Sequence, residues 1–168
     1  MRLDVQRGDI ASINVDAVIN AASPRMRGGG GVDGAIHSAG GPAILRDCIA
    51  RYPDGLPTGA AGWTTAGDLP ARWVLHVVGP NRSAGQDDPE LLASCYRNVL
   101  AVADELGART LASPLVSAGI YGWPLDDAAR IAVTTVANTE TAITEVTFVA
   151  FSSEAYRALG AAIAELNG

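Results

Sequence analysis

Four consecutive glycines, Gly28-Gly29-Gly30-Gly31, stand between a strand-like run, Val15 to Ala22, and the apolar periodicity of a helix. A chain segment without side chains loses much conformational entropy on folding. Such a segment is kept where the backbone must approach something closely. Free amide N–H groups and the partial positive charge of a helix N-terminus make the junction suited to a phosphate. Asp33 then sets a carboxylate in the first turn of that helix, on a face expected to meet solvent. A loop that draws an anion and places an acid beside it suits chemistry next to a phosphate.

The rest of the chain limits what that anion can be. At 168 residues, with 48% hydrophobic and 18% charged residues, it fits one globular domain, 1–168, with room for a core. Net charge is −6, and all 12 basic residues are arginine. No basic patch suited to a long nucleic-acid backbone is visible, so sequence-specific nucleic-acid binding is not expected. The absence of lysine excludes a P-loop, which needs one at the phosphates. Apolar runs are too short to span a bilayer and the N-terminus has no signal-peptide pattern, which predicts a cytoplasmic protein; a monomer is expected, though nothing in the sequence fixes the oligomeric state. Cys48 and Cys95 lack metal-type spacing and read as reduced, buried thiols.

Periodicity gives strands near 3–6, 15–21, 62–66, 73–78, 110–116 and 145–151. It gives helices over 32–51, 89–106, 124–138 and 154–166, with Pro89 and Pro124 in first turns. Strands alternating with helices predict a layered α/β domain with helices on both faces of the sheet. Gly29, Gly31 and Gly34 spell G-x-G-x-x-G. A dinucleotide-binding reading fails, because Ser23 to Arg27 intervene after the strand and Asp54, the acid at the required distance, lies in a Pro/Gly turn.

A second glycine loop, Ser117-Ala118-Gly119-Ile120-Tyr121-Gly122-Trp123-Pro124, again joins a strand to a helix. Two such loops at one sheet edge would suit a diphosphate, and one of Tyr121 and Trp123 is expected to face the ligand. His37, four residues after Asp33, lies on the same helical face and reads as a packed histidine. His76, inside an apolar strand, reads as structural.

Taken in order, Gly8-Asp9-Ile10, Val15 to Ala22, Gly28 to His37 and Ser117 to Pro124 resemble the signature of the macrodomain family, most closely its MacroD-type ADP-ribosyl hydrolases. The resemblance implies a three-layer α/β/α fold with a mixed central sheet and a pocket for ADP-ribose. It implies that Asp9 accepts a hydrogen bond from the adenine amino group, that Ile10 helps to place the ring and that Phe151 packs on it. Gly28, Gly29, Gly30, Gly31 and Val32, with Ser117, Ala118, Gly119, Ile120, Tyr121 and Gly122, would enclose the diphosphate and distal ribose. Trp123 would lie near that ribose, beside Ala21 and Ser23. Asp33 would be the catalytic residue, positioning a water at the anomeric carbon.

One block departs from the family. Asn20-Ala21-Ala22-Ser23 carries serine where the family usually has a second asparagine, and Pro24-Arg25-Met26-Arg27 adds two cations at the expected rim. The resemblance implies hydrolysis of ADP-ribose from modified acceptors, foremost ester-linked acidic side chains of proteins, with nucleic acid as another acceptor. Neither metal nor cofactor is called for. The alternatives are a non-catalytic ADP-ribose-binding module and an O-acyl-ADP-ribose deacylase.

Overall fold

The pleat of the strands sorts apolar side chains onto two faces, and each face carries its own core. The computed structural model describes the whole chain, Met1–Gly168. Its strands are β1 (Arg2–Arg7), β2 (Ala17–Ala22), β3 (Ala61–Thr65), β4 (Trp73–Val78), β5 (Thr110–Ser113) and β6 (Glu145–Ala150). Its helices are α1 (Gly31–Gly40), α2 (Pro42–Arg51), α3 (Pro89–Leu106), α4 (Leu125–Asn138) and α5 (Ser153–Asn167). The six strands lie in the order β1-β6-β5-β2-β4-β3. All neighbours run parallel except β3, which pairs antiparallel with β4 at the edge. This is the three-layer, mixed-sheet α/β fold expected.

Ala17 and Ile19 of β2 point into the larger core with α3, α4 and α5, beside Leu75, Leu111 and Phe148. Val18 and Ala22 point the other way, into a core closed by Ile36 of α1 and by Ile44 and Cys48 of α2. Asn20 shares that second face by alternation, as does His76, its register partner on β4.

The single helix expected over 32–51 is two. Gly41, at φ +81°, ends α1 and caps α2, and Pro42 opens α2 without needing an amide partner. At the bend a Cβ on Gly40 would stand 2.2 Å from Ile44 Cδ1. The strand expected over 110–116 also stops early: it ends at Ser113, before Pro114 removes an N–H from the ladder, and Val116 donates instead to the Tyr96 hydroxyl. Both cysteines are free and buried. Burial pushes the Cys48 thiol up to about 11, with help from the nearby charges of Asp33 and Asp47, and the Cys95 thiol up to about 12. At neutral pH neither is a nucleophile.

Candidate active site

Because β1, β6, β5, β2 and β4 run in one direction, the loops after them share one edge of the sheet. Ligands of open α/β sheets bind at that edge. A cleft of about 320 Å³ opens there, lined by Gly8, Asp9 and Ile10 after β1, Gly31, Val32 and Ala35 of α1, Pro114 after β5, and Val149 and Phe151 of β6 and its loop. Phe151 is 89% exposed, so its ring is presented at the cleft rather than packed in a core. Asp9 caps a short 3-10 turn, with Oδ1 accepting from the Ala11 amide at 2.9 Å and Oδ2 from the Ser12 hydroxyl at 3.1 Å. Both contacts hold the carboxylate in place while leaving lone pairs for another donor.

The glycine loop reaches α1 with Gly30 extended at the cap and no side chain covering the first amides. Those amides have no partner within the helix and face outward along its axis. Asp33 lies directly behind them. It is 6% exposed, so the expected solvent-facing acid is instead a buried one. The Asn20 amide nitrogen donates to Asp33 Oδ1 at 2.8 Å, and His37 Nε2 stands 3.3 Å from the same oxygen. The other oxygen, Oδ2, borders Gly29: a Cβ there would sit 3.3 Å from it. One oxygen is thus anchored in the protein while the other is turned to the loop. His37 packs on Gly28 as well, where a Cβ would lie 3.7 Å from its Cδ2.

The second loop is braced from the side. Ser117 is buried with φ +68°, a conformation costly for a residue with a Cβ, and its Oγ has no partner. Gly79 gives it space, since a Cβ there would come 2.2 Å from Ser117 Oγ. Gly122 turns back on Gly119, and the Tyr121 carbonyl accepts from the Ser83 amide. Ile120 stands out at 93% exposure, Tyr121 is half-buried, and Ala118 touches the larger core. Trp123 is the packed member of the pair. It is 5% exposed, belongs to the large core and donates its indole N–H to the Pro80 carbonyl at 3.1 Å. Of the two loop aromatics, Tyr121 alone remains at the surface.

Ala21 and Ser23 are half-buried at the end of β2 and its loop, and the Ser23 carbonyl accepts from the Met26 amide. The two rim cations have separate fates. Arg25 is exposed, but the Arg27 guanidinium is spent on the carbonyls of Arg25, Met26, Tyr52 and Pro53, tying the loop to the end of α2. It is a clamp, not a free charge. Asn20 was legible as a motif residue but not as Asp33's partner. The signal was a lone amide in an otherwise apolar strand, since a buried amide needs a partner.

An open α/β sheet with an apolar cleft and glycine loops at the carboxyl ends of its parallel strands is the architecture of a small-molecule-binding domain. The Macro domain family model matches residues 19–132, and the chain belongs to that family. It is 58% identical to a macro domain-containing protein of Streptomyces coelicolor, over 92% of this chain and 94% of that one. It is 44% identical to the O-acetyl-ADP-ribose deacetylase of Enterobacter cloacae, over 91% of this chain and 88% of that one. Among solved structures, a point mutant of the Oceanobacillus iheyensis macrodomain with ADPR superimposes with a TM-score of 0.92 at 35% identity, covering 98% of this chain and 93% of that one. The Trypanosoma brucei macrodomain in complex with ADP-ribose gives a TM-score of 0.89 at 37% identity, covering 96% of this chain and 69% of that one.

Proposed function

We propose that residues 1–168 act as one macrodomain that binds ADP-ribose in the cleft and hydrolyses it from ester-linked acceptors, foremost modified acidic side chains of proteins. The observation that carries this reading is Asp33, a carboxylate fixed by Asn20 through one oxygen and turned to the glycine loop through the other. In this reading adenine lies on Phe151 with its amino group toward Asp9, and Ile10 borders the ring. The amides of Gly28 to Val32 hold phosphate oxygens at the N-terminus of α1, and Ser117 to Gly122 close over the second phosphate and the distal ribose.

The chemistry needs one water. Asp33 Oδ2 orients it toward the anomeric carbon and draws off its proton as the new C–O bond forms. The bond from that carbon to the acceptor's ester oxygen breaks, and the acceptor leaves as a carboxylate. The departing group is a weak base, so the step asks little of a general acid. Positioned proton transfer of this kind contributes about 10²–10⁴ in rate. The apolar walls of the cleft limit competing water, which strengthens the field of the helix terminus on the phosphates.

A second reading is deacylation of an O-acyl-ADP-ribose, favoured by the name of the Enterobacter cloacae relative. The same pocket would serve, with the water directed at the acyl carbon instead of the anomeric one. Incubation with an ester-linked ADP-ribosylated protein and with O-acetyl-ADP-ribose separates the two. Release of ADP-ribose from the protein supports the first reading. Turnover of the acetyl ester alone supports the second, and ligand binding without either would leave a binding module.

A further inference from the structure

Beneath α1 a chain of hydrogen bonds leaves the site and runs into the sheet. Asn20 donates to Asp33 Oδ1 at 2.8 Å, and the same amide nitrogen lies 3.1 Å from His76 Nδ1. His76 Nε2 lies 2.9 Å from Thr64 Oγ1, which in turn donates to the Thr65 carbonyl at 2.9 Å. Asn20 and Thr64 are fully buried and His76 is 1% exposed. None of the three lines the cleft.

The directions of these bonds are forced from the far end. Thr64 spends its one hydrogen on Thr65, so its oxygen must accept, and His76 must carry its proton on Nε2. That tautomer leaves Nδ1 as an acceptor. The Asn20 amide can then present its NH₂ to both His76 and Asp33. Were the amide reversed, its oxygen would meet the Asp33 carboxylate at 2.8 Å, acceptor against acceptor. Asn20 Oδ1 has no protein partner, so the amide is held by its hydrogens alone.

We propose that His76 and Thr64 are positioning residues for Asp33, acting through the Asn20 amide whose orientation they fix. The inference rests on the reading of Asp33 as the residue that directs water. A buried polar chain of this length costs stability unless every member is paired. An apolar contact on this face of β2, β4 and β3 would pack Val18 and Val74 against α2 with no such demand. What the polar chain supplies is a fixed donor under one oxygen of a carboxylate, in the manner of a group that orients a ligand from behind.

The test is Thr64→Val, which keeps the shape and removes the acceptor, with Thr64→Ser as the variant that restores it. With the ester-linked substrate, Thr64→Val should lower kcat by about tenfold or more, the usual cost of losing an outer-shell partner. KM and ADP-ribose affinity should stay within about twofold, and Thr64→Ser should recover the rate. Imidazole nitrogen NMR of the ligand-free protein should show His76 as the Nε2–H tautomer in wild type and a mixture in Thr64→Val. The pH profile of kcat should widen or shift only in Thr64→Val, since Asp33, His37, Asp47 and Cys48, the titratable groups around His76, are unchanged. Wild-type kcat in Thr64→Val, with Asp33→Ala inactive, would overturn this inference and leave the proposed function standing. Full turnover by Asp33→Ala would overturn both. A rate loss that Thr64→Ser does not restore, or that follows thermal stability, would show a structural role only and also overturn it.

Discussion

A Cβ on Gly34 would stand 2.6 Å from the carbonyl oxygen of Gly29, so the glycine loop closes on α1 only because position 34 has no side chain. Gly34→Ala must push the loop outward, since backbone cannot yield as a flexible side chain does. The expected result is an affinity for ADP-ribose lowered by about tenfold or more, with a melting temperature near that of the parent. Titration calorimetry with a thermal scan checks both. Unchanged affinity would separate the loop's shape from ligand binding.

Asp33→Ala should abolish hydrolysis while ADP-ribose still binds, because the charge removed stood beside the phosphates. The residue is buried and paired, so stability should also fall. Asn20 loses an acceptor inside the fold, a cost of about 1–3 kcal/mol. Release of free ADP-ribose, read beside a denaturation curve, tests the two halves separately.

Ser23→Asn restores the family's usual residue at a half-buried loop position. The hydrolysis rate should change by more than the thermal stability does. If rate and affinity both stay at the parent's values, the distal ribose is held by other residues.

Phe151, exposed at the cleft, offers a variant that the fold should not notice. Phe151→Ala should leave the melting temperature unchanged and weaken ADP-ribose by several-fold, about 1 kcal/mol or more for a lost stacking face. In the parent, ADP-ribose should bind more tightly than AMP, which lacks the second phosphate and the distal ribose. GDP-sugars should bind more weakly by about tenfold, since guanine turns a carbonyl toward Asp9 and leaves an unpaired acceptor. NAD should also bind weakly, its nicotinamide filling the place of the attacking water. Calorimetry over these ligands decides; equal affinity for AMP and ADP-ribose would remove the second loop from the binding site.

Acid should act through His76. Burial first, and then His37, push its pKa down to about 4 from the ordinary 6.5. Above about pH 6.5 the ring is neutral in folded and unfolded chains alike, and it costs nothing. As pH falls from there toward about 4, the unfolded chain takes up a proton that the native one refuses. Stability is therefore lost across that window, by about 3 kcal/mol at its lower end. Urea unfolding measured from pH 7 to pH 4.5 should slope less steeply in His76→Gln than in the parent. Parallel slopes would place the acid sensitivity elsewhere.

The layered fold was legible because β-branched runs and prolines mark element ends locally, and β2, β4 and β6 are mostly apolar, each broken by only one or two polar residues. The bend at Gly40-Gly41-Pro42 was not, since an amphipathic stripe continues across it and only the contact with Ile44 requires the turn. Which of Tyr121 and Trp123 packs inward was hidden for a related reason. A tryptophan between Gly122 and Pro124 looks like a loop residue until Pro80, distant in sequence, supplies an acceptor for its N–H. The anion-attracting character of Gly28 to Asp33 could be read from residue types alone. The burial of Asp33 could not, because its partner Asn20 comes from the neighbouring strand and that strand's register with β4 decides where His76 lies.

The pairing of β1 with β6, Arg2 beside Glu145 through Arg7 beside Ala150, has a consequence in time as well as space. These strands come from opposite ends of the chain, and each delivers one wall of the cleft: Asp9 follows β1 and Phe151 follows β6. The glycine loop and α1 can form early in synthesis, together with β2. The Phe151 wall, and the seat on which the Asp9 wall rests, wait until β6 has been made. Contacts between such distant positions are slow to form. Assembly of the cleft is therefore an act of the folded whole: a chain ending before β6 holds Asp33 and α1 but lacks Phe151 and the strand against which β1, and with it Asp9, is seated.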